Sequence, residues 1–160
     1  MRINVDRLAR DGETFEGEDP VEILEWPAEG ELFYPVEPVR YRFFAKRVGH
    51  AELLVTGSVS TRFAGACTRC GGPLDLEVRD DDFCQSFPLS GPNPEVDLTE
   101  EERVSIILAL PDHPVCDPDC AGVCPHCGKR RAEGPCGCVE EAHPAWEALD
   151  SVVVREEPEP

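Results

Sequence analysis

Hydrophobic and polar residues alternate along consecutive stretches in the middle of the chain. Most apolar side chains of residues 51–63 fall on one face, and most polar side chains fall on the other. Residues 74–79 repeat this alternation, and an aromatic-rich run at residues 39–47 precedes both. A two-residue period separated by short turns predicts an antiparallel β-meander or partial barrel with one buried face. The buried face of the longest stretch is predicted to hold Leu53, Val55, Val59 and Phe63.

A helix is predicted to follow the strands. Thr99 and Glu102 have the spacing of a capping box, acidic residues fill the first turn, and Pro111 ends the pattern. The apolar residues of this segment predict that the helix packs on the sheet. They are Val104, Ile107, Leu108 and Leu110.

Composition divides the 160 residues into three regions. We predict a β-rich domain with a C-terminal helix at residues 1–111, and a cysteine-rich zinc-knuckle segment at residues 112–150. That segment includes a short helix at residues 140–149 that packs on the domain. The acidic tail at residues 151–160 is predicted to be disordered. The fold class is therefore α+β, with an antiparallel meander, one packed helix and a C-terminal cysteine-rich zinc-binding segment.

Eight of the nine cysteines occur in closely spaced pairs. A Cys-x2-Cys turn places two thiolates on one side of a tight loop, and zinc fits that geometry best. The segment after the helix has too few large apolar residues to fold by burial, so we expect two structural Zn²⁺ sites to hold it. The predicted metal ligands are Cys67, Cys70, Cys116, Cys120, Cys124, Cys127, Cys136 and Cys138.

Proximity along the chain predicts how these ligands pair. The four cysteines at residues 124–138 form one compact site, and Cys67 and Cys70 are joined by Cys116 and Cys120 in a second. The rival arrangement is one zinc among the six C-terminal cysteines. An iron–sulfur cluster and a redox-active Cys-x2-Cys pair are the alternative chemistries. The ninth cysteine, Cys84, is predicted to be a buried small hydrophobe.

The formal net charge of −18 limits the partners of the chain. An acidic body repels a phosphate backbone and favours basic partners, although acidity can also serve solubility alone. The N-terminus has no apolar signal region, and no stretch approaches the roughly 18 apolar residues of a membrane span. We therefore expect a cytoplasmic protein with reduced thiols and no membrane partner.

The residues offer little support for catalysis. The four histidines have no serine or thiol partner at motif spacing, and the chain has no Gly-rich phosphate loop. His126, inside the second Cys-x2-Cys turn, is predicted to be a solvated turn residue. Because every predicted ligand is a thiolate, no coordination position is left for a catalytic water. We expect no enzymatic activity and no small-molecule substrate.

Four pieces of the chain follow one another in a characteristic order: Cys67-Thr-Arg-Cys70, Ser105-Ile-Ile-Leu-Ala-Leu-Pro111, Cys116-Asp-Pro-Asp-Cys120-Ala-Gly-Val-Cys124-Pro-His-Cys127-Gly128 and Cys136-Gly-Cys138. This order resembles the YceD family of bacterial and plastid proteins, called large ribosomal RNA subunit accumulation proteins. The resemblance spans about residues 50–149. It departs at Gly71, where leucine is usual, and at residues 129–132 and 143–146.

The resemblance implies a non-enzymatic role in large ribosomal subunit biogenesis that supports accumulation of the large-subunit ribosomal RNA. The partner it implies is a large-subunit ribosomal protein or a pre-ribosomal particle, and a basic ribosomal protein would suit an acidic chain. The alternative is an RNA-binding zinc module that acts directly on ribosomal RNA through local basic patches. The candidate patches are Arg40, Arg42, Lys46 and Arg47 beside Tyr41 and Phe43, and Lys129, Arg130 and Arg131 on the knuckle loop.

Overall fold

The structure is a computed structural model of the chain. The residues that it describes are 1–27, 32–49, 51–91 and 94–138. The predicted helix at residues 140–149, the predicted tail at residues 151–160, and the histidines His50 and His143 lie outside the described residues.

The described ranges contain seven strands and one α-helix in the order β1–β7 and then α1. The strands are β1 (Arg2–Asn4), β2 (Glu13–Asp19), β3 (Phe33–Pro35), β4 (Val39–Val48), β5 (Glu52–Ala66), β6 (Pro73–Pro88) and β7 (Glu95–Asp97), and the helix is α1 (Thr99–Ala109). Short 3₁₀ turns occur at Val5–Arg7, Val21–Leu24 and Arg131–Glu133.

The long strand β5 is the centre of the main sheet. One of its edges pairs with β6 along its whole length, and the other pairs first with β4 and then with β3. Strand β2 pairs with the outer edge of β4, and β1 pairs separately with β7. All these pairings are antiparallel, and the described strands form an open five-stranded sheet and a separate two-stranded sheet. The predicted α+β class with an antiparallel meander and one helix is confirmed.

The core lies on the face of β5 that the alternation predicted. The side chains of Leu53, Val55, Val59 and Phe63 are at most 1% exposed. Branched and aromatic side chains at alternate positions suit a pleated strand that is half buried. The core residues that pack with them include Phe43, Val78, Phe83, Leu98 and Ile106.

A β-bulge interrupts the pairing of β5 and β6. Val59 lies opposite Asp80 and Gly57 lies opposite Phe83, so two residues of β6 face the single residue Ser58. The two extra-register residues are Asp81 and Asp82, and both are exposed. The bulge therefore presents a run of carboxylates beside α1.

Helix α1 begins differently from the prediction. Its N-cap is Leu98, whose carbonyl accepts a 2.9 Å hydrogen bond from the backbone N–H of Glu102. The carboxylate of Asp97 accepts from the N–H of Thr99 at 3.1 Å and from its hydroxyl at 2.6 Å. The Thr99 hydroxyl hydrogen bond, followed by the N–H bond, lowers the pKa of Asp97 to about 2. The predicted Thr99–Glu102 capping box is wrong, because Asp97 serves the first turn instead.

The face that α1 buries also differs from the prediction. The residues buried under the helix are Glu102, Ser105 and Ile106, whereas Leu108 is 79% exposed. Polar contacts select this face: the Glu102 carboxylate lies 3.3 Å from the Met1 amine, and the Ser105 hydroxyl donates to the Asp80 carboxylate. Leu110 packs against the core as expected, but the predicted packing of three other apolar residues on the sheet is wrong. These are Val104, Ile107 and Leu108, which are exposed.

Candidate metal centre

The first Cys-x2-Cys turn closes the hairpin between β5 and β6. The backbone N–H of Gly71 donates to the carbonyl of Cys67 at 2.8 Å, and the N–H of Cys67 donates to the carbonyl of Gly72 at 2.8 Å. Gly71 has a φ of +66°, a left-handed conformation that glycine adopts without steric penalty. The turn directs the N–H of Gly72 at the Cys70 sulfur, 3.3 Å away. The thiols thus lie beside backbone donors that stabilise their ionised form.

The second Cys-x2-Cys turn repeats this backbone geometry. The N–H of Gly128 donates to the carbonyl of Cys124 at 2.9 Å, and the N–H of Cys124 donates to the carbonyl of Lys129 at 2.8 Å. The φ of Gly128 is +73°. Two segments that lie far apart in the chain therefore adopt the same hydrogen-bonded turn, with a cysteine at its first and fourth positions.

The first turn meets two cysteines from the segment after α1. The Sγ atoms of Cys67 and Cys120 are 3.9 Å apart, and those of Cys70 and Cys116 are 3.8 Å apart. All four sulfur atoms lie within 4.8 Å of one another. The sulfur atoms of the other group also lie within 4.8 Å of one another, and they belong to Cys124, Cys127, Cys136 and Cys138. The eight thiols are grouped as proximity along the chain predicted.

The sulfur separations fit one tetrahedral ion. Four thiolates about 2.3 Å from a central zinc stand about 3.8 Å from one another, which matches the two distances in the first group. A disulfide would require about 2.05 Å between the sulfurs. A four-iron cluster would spread the thiolates further, because each then binds a different iron atom. The donor set and its spacing therefore suit a single soft or borderline cation in each group.

The thiols of the first group differ in how readily they ionise. Burial opposes ionisation of Cys67, but the backbone amides of Cys116, Cys70 and Arg69 outweigh it and lower the pKa of Cys67 to about 6. The pKa of Cys116 shifts in the opposite direction. The hydrogen bond with Cys120 is the largest cause and burial is the next, and together they raise this pKa to about 12. One negative charge is stabilised and further charges are repelled. A divalent cation would reverse that repulsion.

The second group shows the same division. Backbone hydrogen bonds from Cys127 and His126 lower the pKa of Cys124 to about 6. Hydrogen bonds with the thiols of Cys127 and Cys136 raise the pKa of Cys138 to about 12. The His126 side chain is exposed and is not among the grouped ligand atoms. Each sulfur group thus contains one thiol with a lowered pKa and one with a strongly raised pKa.

Hydrogen bonds fasten the first group to both of its segments. The N–H and the hydroxyl of Thr68 donate to the carbonyl of Pro114 at 3.0 and 2.9 Å. The Arg69 guanidinium donates to the carbonyl of Cys120 at 3.0 Å. The group therefore joins the tip of the β5–β6 hairpin to the chain that follows α1.

Cys84 lies outside both sulfur groups. It is exposed on β6, so its predicted burial is wrong. The strand pairing explains the difference, because Cys84 follows the buried Phe83 and so points to the opposite face of β6.

The basic patch on β4 is occupied by carboxylates. Arg40 lies 3.2 Å from Glu18 and 2.8 Å from Glu37, and Arg42 lies 2.8 Å from Glu16. The pairs with Glu18 and Glu16 follow from the register of β2 on β4, which places these residues opposite the arginines. Two of the four basic residues that sequence reasoning assigned to a phosphate contact are thus paired, whereas Lys46 and Arg47 make no ion pair within the described residues.

The aromatic residues of this patch do not form an exposed stacking platform. Phe43 is fully buried, and Tyr41 is half-buried and stacks on it with ring centroids 5.4 Å apart. On the knuckle loop, Arg130 pairs with Glu133 at 2.6 Å and Lys129 donates to the carbonyl of Pro135 at 3.3 Å.

The fold and site define an open antiparallel sheet protein with two tetracysteine groups. Residues 80–152, just under half of the chain, match the model of a family described as "Large ribosomal RNA subunit accumulation protein YceD". This match confirms the resemblance inferred from the motifs. It includes the six C-terminal cysteines, whereas Cys67 and Cys70 precede the matched residues.

Curated relatives occur among mycobacteria. The chain is 32% identical over 114 residues to the uncharacterized protein Rv2926c of Mycobacterium tuberculosis, and equally to the uncharacterized protein Mb2951c of Mycobacterium bovis. Each alignment covers 61% of this chain and 54% of the relative. The chain thus spans about half the length of these relatives. No solved structure matches it. The described part of the chain contains no helix with the length and apolar character of a membrane span.

Proposed function

We propose that the protein is a non-enzymatic factor in biogenesis of the large ribosomal subunit. It supports accumulation of large-subunit ribosomal RNA by binding a ribosomal protein or a precursor particle. The match of residues 80–152 to a family named for that role carries the proposal. A cytoplasmic location is part of this proposal.

The distribution of charge favours a protein partner over RNA. The chain has a formal net charge of −18, and Arg40, Arg42 and Arg130 are each paired with a carboxylate. An RNA contact would have to displace these pairs and overcome repulsion from the acidic body. A basic ribosomal protein would instead gain from the same charge.

The two sulfur groups have a structural role in this proposal. We assign Zn²⁺ to each of them, held by Cys67, Cys70, Cys116 and Cys120 in one case and by the cysteines at residues 124, 127, 136 and 138 in the other. Bound zinc would offset half of the charge of each group of four thiolates and connect loops that bury few apolar side chains. Four thiolates complete a tetrahedral shell and leave no position for a substrate or a reactive water. This supports a non-catalytic function.

Depletion and rescue test the function. Loss of the protein from its host is expected to lower the ratio of large- to small-subunit ribosomal RNA, and the parent chain should restore it. An unchanged ratio after depletion would contradict the proposal.

Tagged parent protein should also co-sediment with large-subunit precursors, and this association should weaken as salt rises to physiological strength.

A charge variant separates the protein partner from RNA. Lys129→Ala/Arg130→Ala/Arg131→Ala removes three positive charges from the knuckle loop, which should leave a contact made through carboxylates intact. Equal metal content and circular dichroism would show that the variant is folded. Loss of association in this variant, together with release of the parent by RNase, would instead assign the RNA-binding alternative.

A further inference from the structure

Helix α1 presents an apolar surface that the described residues leave uncovered. Val104 is 43% exposed and Leu108 is 79% exposed, and their spacing of four residues places them on one side of the helix. Isolated exposed apolar residues are ordinary in proteins, but a contiguous pair above an open cleft marks a contact surface. The cleft has a volume of about 640 Å³ and lies between α1 and β6.

Carboxylates form the rim of this cleft. Asp81 and Asp82 reach it from the bulge of β6, and Glu100 and Glu101 reach it from the first turn of α1. We call the cleft, its two apolar residues and these four carboxylates the α1–β6 groove.

Half of the rim carboxylates lack a cationic partner. Asp81 pairs with Arg79 at 2.5 Å, and Glu100 lies 3.3 Å from Arg103. Asp82 and Glu101 make no ion pair within the described part of the chain. The Oε2 atom of Glu101 is buried and accepts no hydrogen bond from the described residues. A buried carboxylate oxygen without a donor is costly, and a cation that pairs with the half-buried Glu101 side chain would lower that cost.

We propose that the α1–β6 groove docks a basic amphipathic segment of a protein partner. Leucine-like side chains of that segment would cover Val104 and Leu108, while lysine or arginine side chains would pair with Asp82 and Glu101. The proposal rests on the proposed function, and it adds the position and the chemistry of the partner. A helix-in-groove contact of this kind combines apolar burial with charge selectivity.

Charge argues against the other occupants of the groove. A second copy of the chain would set carboxylates against carboxylates, since the net charge is −18. The chain's own residues 139–160 contain seven acidic residues and one arginine, so they are repelled by the same rim. The phosphates of RNA are excluded for the same reason.

Peptide binding to the full chain tests the groove. The probe is a fluorescein-labelled 18-residue helical peptide of leucine and lysine, whose binding is followed by anisotropy. Binding is expected to weaken about tenfold in Val104→Ala/Leu108→Ala, because two apolar contacts are lost. Alanine is a good helix former, so this variant should remain folded. Asp82→Asn/Glu101→Gln should weaken binding at low salt and have little effect at high salt.

Matched controls make the result specific to the groove. Val36→Ala removes the same atoms as the Val104→Ala half of the double variant, from a valine that is 47% exposed and outside the groove, and should bind the peptide like the parent. A peptide with serine in place of leucine, or glutamate in place of lysine, should bind at least about tenfold more weakly. Equal affinity for all three peptides, or equal loss in Val36→Ala, would overturn the proposal.

Alkylation of Cys84 gives a second measurement. Cys84 is exposed and lines the cleft, so bound peptide should slow its reaction with iodoacetamide, measured at that residue by mass spectrometry. Unchanged reactivity under saturating peptide would place the binding elsewhere.

A photo-crosslinker installed as Leu108→p-benzoylphenylalanine identifies the occupant. Products with a second copy, with residues 139–160 or with RNA would overturn the proposal.

Co-sedimentation with large-subunit precursors separates failure of the groove from failure of the function. If Val104→Ala/Leu108→Ala still co-sediments like the parent, the groove proposal is wrong and the proposed function stands. If the parent itself does not co-sediment, the proposed function fails. The peptide measurements then decide the groove alone.

Discussion

At the residue scale, Glu102 has the least usual environment of the described carboxylates. It is completely buried within α1 and lies 3.3 Å from the Met1 amine, which Asp19 also contacts. Burial, the largest cause, raises the pKa of Glu102 to about 8 even though the amine acts to lower it. A buried carboxyl group with this pKa holds its proton more tightly in the folded state than in the unfolded chain.

That difference predicts a pH dependence of stability. Between pH 4.5 and about 8 the folded state binds more protons at Glu102 than the unfolded state, so the free energy of unfolding should fall as pH rises. Glu102→Gln, which cannot titrate, should remove about 1–2 kcal/mol of this fall after allowance for screening. Urea unfolding at pH 5 to 8 measures it. Glu100→Gln is the exposed control, and parallel pH profiles for the Glu102 variant and parent would contradict the prediction.

A second prediction concerns the glycines that follow the Cys-x2-Cys turns. Gly71 and Gly128 have positive φ, and a Cβ at either position would meet no atom within 4 Å. Alanine should therefore destabilise each turn by about 1–2 kcal/mol through backbone strain alone. Asparagine tolerates this conformation and should cost less. Chemical unfolding and the affinity for Zn²⁺ measure both effects, and equal values for the alanine and asparagine variants would argue against strain as the cause.

At the element scale, the two sulfur groups connect different parts of the fold. The first group joins the β5–β6 hairpin to the segment after α1, and Thr68 and Arg69 reinforce that joint. The second group lies within residues 124–138, where the described backbone has the second Cys-x2-Cys turn, one 3₁₀ turn and the bridge from Arg130 to Val123. The first group is therefore coupled to the sheet, whereas the second acts on its own segment. The boundary between the β-rich domain and the cysteine-rich segment, at residues 111 and 112, stays a prediction.

Cysteine variants should reveal that difference in coupling. Cys124→Ser is expected to increase hydrogen exchange in residues 120–138 and to leave β4, β5 and β6 protected, because a short metal-bound segment has little core of its own. Cys67→Ser should also increase exchange at the hairpin tip and lower the stability of the sheet. Cys84→Ser is the matched control, since Cys84 lies outside both groups. Unchanged exchange of residues 120–138 in Cys124→Ser would show that metal does not hold that segment.

At the scale of the whole molecule, acidity and metal binding have separate consequences. The net charge of −18 favours basic partners over long distances, while short ion pairs such as Arg42–Glu16 neutralise individual basic side chains. The two sulfur groups do not reduce the net negative charge of the chain, because each thiol that ionises adds one negative charge. A pair of divalent cations would offset half of the charge of eight thiolates and would connect the loops.

Metal content provides the corresponding prediction. Elemental analysis of purified protein should give close to two zinc ions per chain, and one or none would contradict the two-site assignment. With metal bound, N-ethylmaleimide should modify Cys84 alone among the nine cysteines. After chelation all nine should react, because metal no longer holds the thiolates. Modification of the other eight before chelation would count against metal protection.

The amino-acid sequence by itself determined the features that depend on neighbouring residues. Alternation along residues 51–63 identified the buried face of β5, because side chains of a strand point to opposite faces in turn. The Cys-x2-Cys-Gly motifs identified the two turns, because glycine permits the left-handed conformation that closes them. The grouping of eight thiols also followed from their spacing, as did the resemblance to the family whose model matches residues 80–152.

Only the tertiary structure decided which side of α1 is buried. Apolar residues surround this helix, so its periodicity does not select a face. Contacts of Glu102 with Met1 and of Ser105 with Asp80 select it, and they join residues far apart in the chain. The ion pairs of Arg40 with Glu18 and of Arg42 with Glu16 likewise arise from the register of β2 on β4. Such contacts depend on three-dimensional packing. Because of them, Val104 and Leu108, which were predicted to face the core, are exposed and line the α1–β6 groove.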